Sequence, residues 1–317
     1  MIRAEVTLES WPLARPFEVA REVQLDVPMI HVRLLDALGH AGQAEAVGID
    51  YDGETPAGMA AQIAALGPEI TRAAIDALPA GGARNALDCA WWDLAAKREG
   101  RAVCAGLPPV ETCYTVGLGT RAEMQEGAAL SRPHALVKIK VDATRHVAAV
   151  RWVREVRGDA RIVIDANEGW DLALLRQVLP ELAELGVEMV EQPLPRGADA
   201  ALAGFASPIP LCADESCTTR SSLPALLGRY QAVNIKLDKT GGLTEALALA
   251  EAARAAGLDL MVGNMCGTSL GMAPAFVVAQ QARWADLDGP LLLSRDRTSA
   301  MRFEGGCALP PPQELWG

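Results

Sequence analysis

A chain of 317 residues, half of them hydrophobic, can bury enough apolar surface for one large α/β barrel or for two domains. Its formal net charge of −11 and pI near 4.9 exclude nucleic acid and anionic membrane as partners, because both would be repelled. A soluble enzyme acting on a small molecule is the simplest class that remains, and nothing in the composition decides between a monomer and a homo-oligomer.

At the N-terminus, "MIRAEVTLESWPLARPF" carries charge within its first four residues and has no apolar run of signal-peptide or membrane-span length, which predicts a cytoplasmic location. The seven cysteines are scattered and never spaced as CxxC, a pattern of reduced thiols without a disulfide framework or zinc site. "RAEVTLESW", "REVQLDVPMIHVRLLDA" and "GQAEAVGI" read as strands, and Ala-rich helical stretches follow from about Gly58 to Lys97. In "LPAGGARNALDCAWWDLAAKREG", Asn85 is a candidate helix cap and Gly100 a stop. Residues 1–110 are therefore predicted to form an α+β unit, with "RAVCAGLPPVE" as a linker.

From Cys113 onward, short apolar runs alternate with Ala/Leu-rich helical stretches: "CYTVGLG", "ALVKIKVD", "RIVIDANEGW", "VEMVEQPLP", "IPLCADESC", "AVNIKLDKTGG", "DLMVGNMCGTS" and "RWADLDGP". Ionisable residues at the ends of these runs recur about every 22 to 26 residues, the length of one strand plus one helix. Eight such runs predict a closed parallel α/β barrel over 111–292. Residues 293–317 leave little room for a further helix and are predicted to pack back on the N-terminal unit.

The second run, "VKIKVD", places Lys138 and Lys140 on one face of a strand and Val137, Ile139 and Val141 on the other. In a barrel one of those faces is the interior. Asp165, Glu191 and Asp214 end the next three strands, and neighbouring strands lie roughly 4.8 Å apart. Three such carboxylates can close on one hard cation with bonds of about 2.1 Å. Lys140 and Lys236 flank them, one on each side, and a divalent cation together with partial desolvation should depress their pKa values toward the range of a general base.

Lys138 shares the inward face and supports Lys140 by charge, whereas Lys239 is expected to point away or to lie in a loop. Asn167 and Glu215 adjoin the acids and read equally as partners of the ligands or as local caps. Taken singly, each acid could cap a helix and each lysine could form a salt bridge. Their joint spacing is what points to one site.

"VKIKVD", "DANEGW", "EQPLP", "CADES" and "NIKLDKTGGL", in that order, resemble the enolase superfamily in its branch of muconate-lactonizing enzymes and dipeptide epimerases. The resemblance implies a modified TIM barrel, (β/α)₇β, beneath an N-terminal α+β capping domain, with one Mg²⁺ per subunit on Asp165, Glu191 and Asp214. It implies 1,1-proton transfer at the α-carbon of the C-terminal residue of a dipeptide, with Lys140 serving the D-configured and Lys236 the L-configured residue. "ARNALDCAWWDLAAK", "GRYQAVNIKLDKTGGLTEALALA" and "ADLDGP" resemble the members that act on L-Ala-D/L-Glu from murein peptide recycling.

By the same resemblance, Asp286 and Asp288 hold the substrate ammonium, Arg21 pairs with a glutamate side chain, and Thr115 contacts substrate. Two features depart from that pattern. Asp50, Tyr51 and Asp52 bring acidic charge where a basic residue is expected, and Gly267 stands where many relatives carry an acid. An o-succinylbenzoate synthase or a muconate cycloisomerase is the alternative within the superfamily, and a non-catalytic barrel is the alternative outside it. The first pair has no use for two acids in "ADLDGP", since their substrates lack an α-ammonium.

Overall fold

The computed structural model describes residues 1–18 and 23–317. Strands β1 (Ile2–Glu18), β2 (Val23–Asp36) and β3 (Ala41–Ala46) form an antiparallel sheet in that order. In β2, Ile30, Val32 and Leu34 are buried while His31 and Arg33 are not, the alternation of a sheet with one covered face. The cover is α1 (Pro56–Ala64), α2 (Arg72–Ala77) and α3 (Gly82–Glu99). Gly42 in β3 lets α3 approach closely, since a Cβ there would collide with the backbone of Ala90 and Leu94.

Thr55 caps α1 through Gly58 N–H, with Pro56 in the first turn, and Gly100 ends α3 in the left-handed conformation at φ 63°. Asn85 does not cap α3. The cap position is Gly81, and the Glu54 carboxylate accepts from Gly82 N–H at 3.0 and 3.1 Å. The helix thus begins a turn earlier than expected, with its capping oxygen supplied by another loop.

A short strand, β4 (Val110–Glu111), precedes the barrel. The barrel then runs β5 (Tyr114–Val116), α4 (Arg121–Leu130), β6 (Leu136–Lys140), α5 (Val147–Val156), β7 (Arg161–Asp165), α6 (Leu172–Glu184) and β8 (Val187–Glu191). It continues with β9 (Leu211–Ala213), α7 (Leu223–Leu226), β10 (Ala232–Ile235), α8 (Leu237–Thr240), α9 (Leu243–Ala255), β11 (Asp259–Val262), α10 (Ser269–Ala279) and β12 (Trp284–Ala285). The eight strands from β5 to β12 are parallel and follow chain order. At the seam between β12 and β5, Cys113 N–H donates to Ala285 O at 2.8 Å and Leu287 N–H to Thr112 Oγ1 at 2.8 Å.

The inside of the barrel is layered. Cys113, Leu136, Val163, Met189, Cys212, Ala232, Met261 and Trp284, one from each strand position, form a buried apolar floor. Two residues further along every strand, and so again facing inward, stand Thr115, Lys138, Asp165, Glu191, Asp214, Asn234, Gly263 and Asp286. One step along the pleat changes the interior from apolar to ionisable. The outward residues Val137, Ile139 and Val141 join the core under the helices.

After the single turn α11 (Gly289–Leu292), the chain returns to the N-terminal sheet through a Leu13–Leu293 bridge and Ser294 N–H to Pro12 O at 2.9 Å. Strands β13 (Phe303–Glu304) and β14 (Cys307–Ala308) make a hairpin whose second strand pairs with β4, so part of the expected linker is sheet. Trp316 Nε1 donates to Cys89 O of α3 at 3.0 Å. All seven cysteines are free thiols. Among the described residues no helix is long and apolar enough to cross a membrane.

Candidate active site

Where the capping sheet meets the barrel mouth there is a cavity of about 580 Å³ lined by Lys138, Lys140, Asn167, Glu215, Lys236, Asp286 and Asp288 from the barrel and by Gly48, Tyr51 and Glu54 from the capping unit. Thr115 lines it as well. At its base Asp165, Glu191 and Asp214 are fully buried, and one carboxylate oxygen from each lies within 4.8 Å of the others. That reach, with oxygen donors alone, fits a hard divalent cation.

The lysines are arranged around this triad. Lys140 Nζ donates to Asp165 Oδ2 at 2.7 Å and to Asn167 Oδ1 at 3.0 Å. Across β7, β8 and β9, Lys236 Nζ donates to Asp214 Oδ2 at 2.7 Å. Lys138 Nζ sits between Glu191 Oε2 at 2.7 Å, Asp286 Oδ2 at 2.9 Å and Asp165 Oδ2 at 3.1 Å. A cation at the triad would therefore have one amine on each flank and a third beneath.

The family described as enolase C-terminal domain-like matches residues 119–313. The L-Ala-D/L-Glu epimerase of Escherichia coli K12 is 44% identical over 96% of this chain and 99% of its own. An enolase family member from Agrobacterium tumefaciens, solved with bound sodium and L-Ala-L-Glu, superposes with a TM-score of 0.95 at 40% identity over 100% of both chains. A dipeptide epimerase from Methylococcus capsulatus, solved with Mg and L-Arg-D-Lys, gives a TM-score of 0.89 at 29% identity over 99% of this chain and 98% of that one. This chain belongs to the enolase superfamily, among its dipeptide epimerases.

In this member of the superfamily the protein's own carboxylates set the charge of the amines around the triad. Burial disfavours the charged form of Lys138, but Asp286, Glu191 and Asp165 outweigh it and hold the ammonium well above the ordinary lysine value. Lys236 is likewise raised, because Asp214 overcomes its burial. The same carboxylates that would ligate a cation hold the amines, and the two compete for them. Glu191 shows the shortage of positive charge: burial and then the nearby Asp165 push its carboxyl up to about 8. Burial followed by Asp214 pushes Glu215 up to about 7.

Asp286 and Asp288 both face the cavity, but they are not equivalent. Asp286 has a cationic partner in Lys138, which sequence distance concealed, whereas Asp288 Oδ2 accepts from Thr115 N–H at 2.5 Å. Asp286 is held below the usual carboxylate range, since Lys138 and a hydrogen bond to Asp288 outweigh its burial, while burial and the charge of Asp286 push Asp288 well above it. Asn167 lies between two groups, accepting from Lys140 and donating to Glu215 Oε1 at 3.4 Å. Its backbone has φ 43° and its N–H donates to Asp165 Oδ1 at 2.9 Å, so the left-handed turn orients the Asp165 carboxylate. Arg21 lies outside the described residues.

Four contributors escaped the sequence reading. Lys239 is buried, not turned away: the short α8 carries it back beneath Asp214, where it donates to Asp214 Oδ1 at 2.5 Å, to the Asp214 carbonyl and to Asn234 O at 3.0 Å. Asn234 Nδ2 donates to Glu191 Oε1 at 2.6 Å, and its parity with Lys236 in "NIK" was the available signal. Gln192, at φ 31°, accepts from Asp214 N–H at 2.9 Å and fixes the start of the loop at Asp214. Gly263 makes room for both Asn234 and Lys236, since a Cβ there would lie 2.7 Å from Asn234 Oδ1 and 3.1 Å from Lys236 Cε.

Proposed function

We propose that this protein is a Mg²⁺-dependent dipeptide epimerase that interconverts the configuration at the α-carbon of the C-terminal residue, with L-Ala-D/L-Glu as substrate. One observation carries the reading: two amines flank a buried carboxylate triad in a single cavity that a pair of acids, Asp286 and Asp288, also lines. Asp165, Glu191 and Asp214 would hold the Mg²⁺, one ion per subunit, whose chemistry is to fix the substrate carboxylate and stabilise the negative charge that develops there when the α-proton leaves.

The rest belongs to the side chains. Lys140 and Lys236 stand on opposite flanks, so one takes the proton from one face of the α-carbon and the other returns a proton to the opposite face. For either direction one amine begins neutral and the other charged. Lys140 serves the D-configured residue and Lys236 the L-configured one. Lys138, held charged by three carboxylates, does not exchange its proton and supplies fixed positive charge.

Asp286 and Asp288 give the dipeptide's free ammonium an anionic seat beside Thr115, and Arg21 is assigned to the glutamate side chain. The acid pair disfavours the o-succinylbenzoate synthase and cycloisomerase readings. Supply of the dipeptide from murein peptide recycling, in the cytoplasm, completes the proposal.

The test is incubation in D₂O with L-Ala-L-Glu, L-Ala-D-Glu and N-acetyl-L-glutamate, which lacks the ammonium. Expected are α-deuteration and inversion of both dipeptides, abolished by EDTA and restored by Mg²⁺, with little turnover of the acylated amino acid. No exchange with any dipeptide would overturn the assignment.

A further inference from the structure

We infer that Arg196, on the loop after β8, is a positioning residue that docks the tip of the 47–55 capping loop onto the barrel, sets Tyr51 against the Lys236 side of the cavity, and offsets the charge of Asp52. The loop "VGIDYDGET" is built as a tight turn. Gly48 and Gly53 take the left-handed conformation at φ 83° and 82°, and Asp50–Asp52 form a 3₁₀ turn. Its base is tied down: Gly48 N–H donates to Asp238 Oδ1 at 2.8 Å, and Ile49 N–H to Glu54 Oε2 at 2.8 Å. These bonds fix the feet of the loop and leave its tip to be held by something else.

The tip meets Arg196. Its guanidinium lies 2.8 Å from Asp52 Oδ1 and stacks over the Tyr51 ring, with Cζ 5.0 Å from the centroid. Arg196 is itself held from the barrel side, where its backbone N–H donates to Glu168 Oε1 at 2.6 Å and its Nε lies 3.5 Å from the same oxygen. Glu168 sits at φ 66° in the turn that follows Asp165. Arg196 therefore links the strand ends that carry Asp165 and Glu191 to the cap. Tyr51 lines the cavity with Lys236 and Glu215, and its hydroxyl is buried. Burial, and then the charge of Asp214, push that phenol above its ordinary value, so it stays a neutral wall.

This pairing also accounts for the acidic loop. An unpaired Asp52 at the lid would repel a dipeptide bearing two carboxylates, whereas Asp52 paired with Arg196 adds no net charge there. The kinetic part of the inference rests on the epimerase reading, and the docking part does not.

Two measurements on the whole protein test it. Arg196→Ala is expected to raise KM for L-Ala-L-Glu about tenfold with kcat changed less than twofold, the combined worth of an exposed ion pair and a cation–π contact. Arg196→Lys, which keeps the charge and loses the planar face, should recover part of that loss. Without substrate, chymotrypsin should cut after Tyr51 faster in Arg196→Ala than in the parent protein, at unchanged thermal stability. Unchanged KM with unchanged cleavage overturns the inference, and so does a fall in kcat alone with unchanged cleavage, which would place Arg196 with the barrel rather than the lid. If the parent protein exchanges no dipeptide, the functional reading fails, and cleavage after Tyr51 still decides the docking.

Discussion

The two flanks of the triad hold chemically equal amines in unequal surroundings. Lys140 keeps 12% of its side-chain surface exposed and meets Asp165 and an amide oxygen. Lys236 keeps 7% and is enclosed by Asp214, by Gly263 against its Cε, and by the capping loop above. Beneath Asp214 a further ammonium, Lys239, is buried to 1% exposure, whereas the second ammonium at Asp165, Lys138 at 3.1 Å, is shared with Glu191 and Asp286. One flank is a lysine on a carboxylate whose second ammonium is shared among three acids, and the other a lysine on a carboxylate with a buried ammonium behind it, so similar substitutions on the two sides should have different consequences.

The largest effect expected is catalytic. Lys140→Ala and Lys236→Ala should each lower epimerisation by about 10²–10⁴-fold, the usual worth of a positioned acid or base. Each should still exchange the α-proton of one configuration without inverting it, Lys140→Ala that of the L-residue and Lys236→Ala that of the D-residue, read by NMR in D₂O. Near-normal turnover in either variant removes the two-base assignment.

Next in size is a difference in stability. Lys239→Met leaves a buried carboxylate short of a partner and should cost about 3–5 kcal/mol in urea unfolding. Lys140→Met removes one bond to Asp165 and leaves Lys138 beside it, so it should cost less, about 1.5–3 kcal/mol. Equal costs would erase the distinction between the flanks.

The smallest effect concerns pH. Burial pushes the Asp238 carboxyl, next to Lys239 in the chain, up to about 7. The native state thus binds that proton more tightly than the unfolded chain, whose value is about 3.9, so this group's contribution falls as pH rises from about 4 through about 7. Asp238→Asn keeps an oxygen for Gly48 N–H and should flatten that segment of the stability curve. An unchanged slope would assign it to other groups.

Strand parity and the strand-plus-helix repeat carried most of the barrel and the triad, because both are local properties of the backbone and the pleat copies them directly into space. Lys138, Lys140, Asp165, Glu191, Asp214 and Lys236 share one cavity base for that reason. Lys239 could not be read the same way: it leaves the strand, and one turn of helix returns it to the site. The Lys138–Asp286 pair spans 148 residues and exists because the first and last strands meet, which no local pattern encodes. The Glu54 cap on α3 and the Arg196–Asp52 pair are also contacts between segments brought together by the fold.

The join between the last and first barrel strands gives Asp288 a second task. There the backbone of Thr115 is bonded to an aspartate oxygen, where its neighbours in the sheet pair with main-chain carbonyls. Breathing of the barrel at this seam and grip on anything seated at that aspartate therefore share one carboxylate. A molecule seated at Asp288 would draw on the oxygen that holds the Thr115 amide, and deuterium uptake at that amide would register its occupancy.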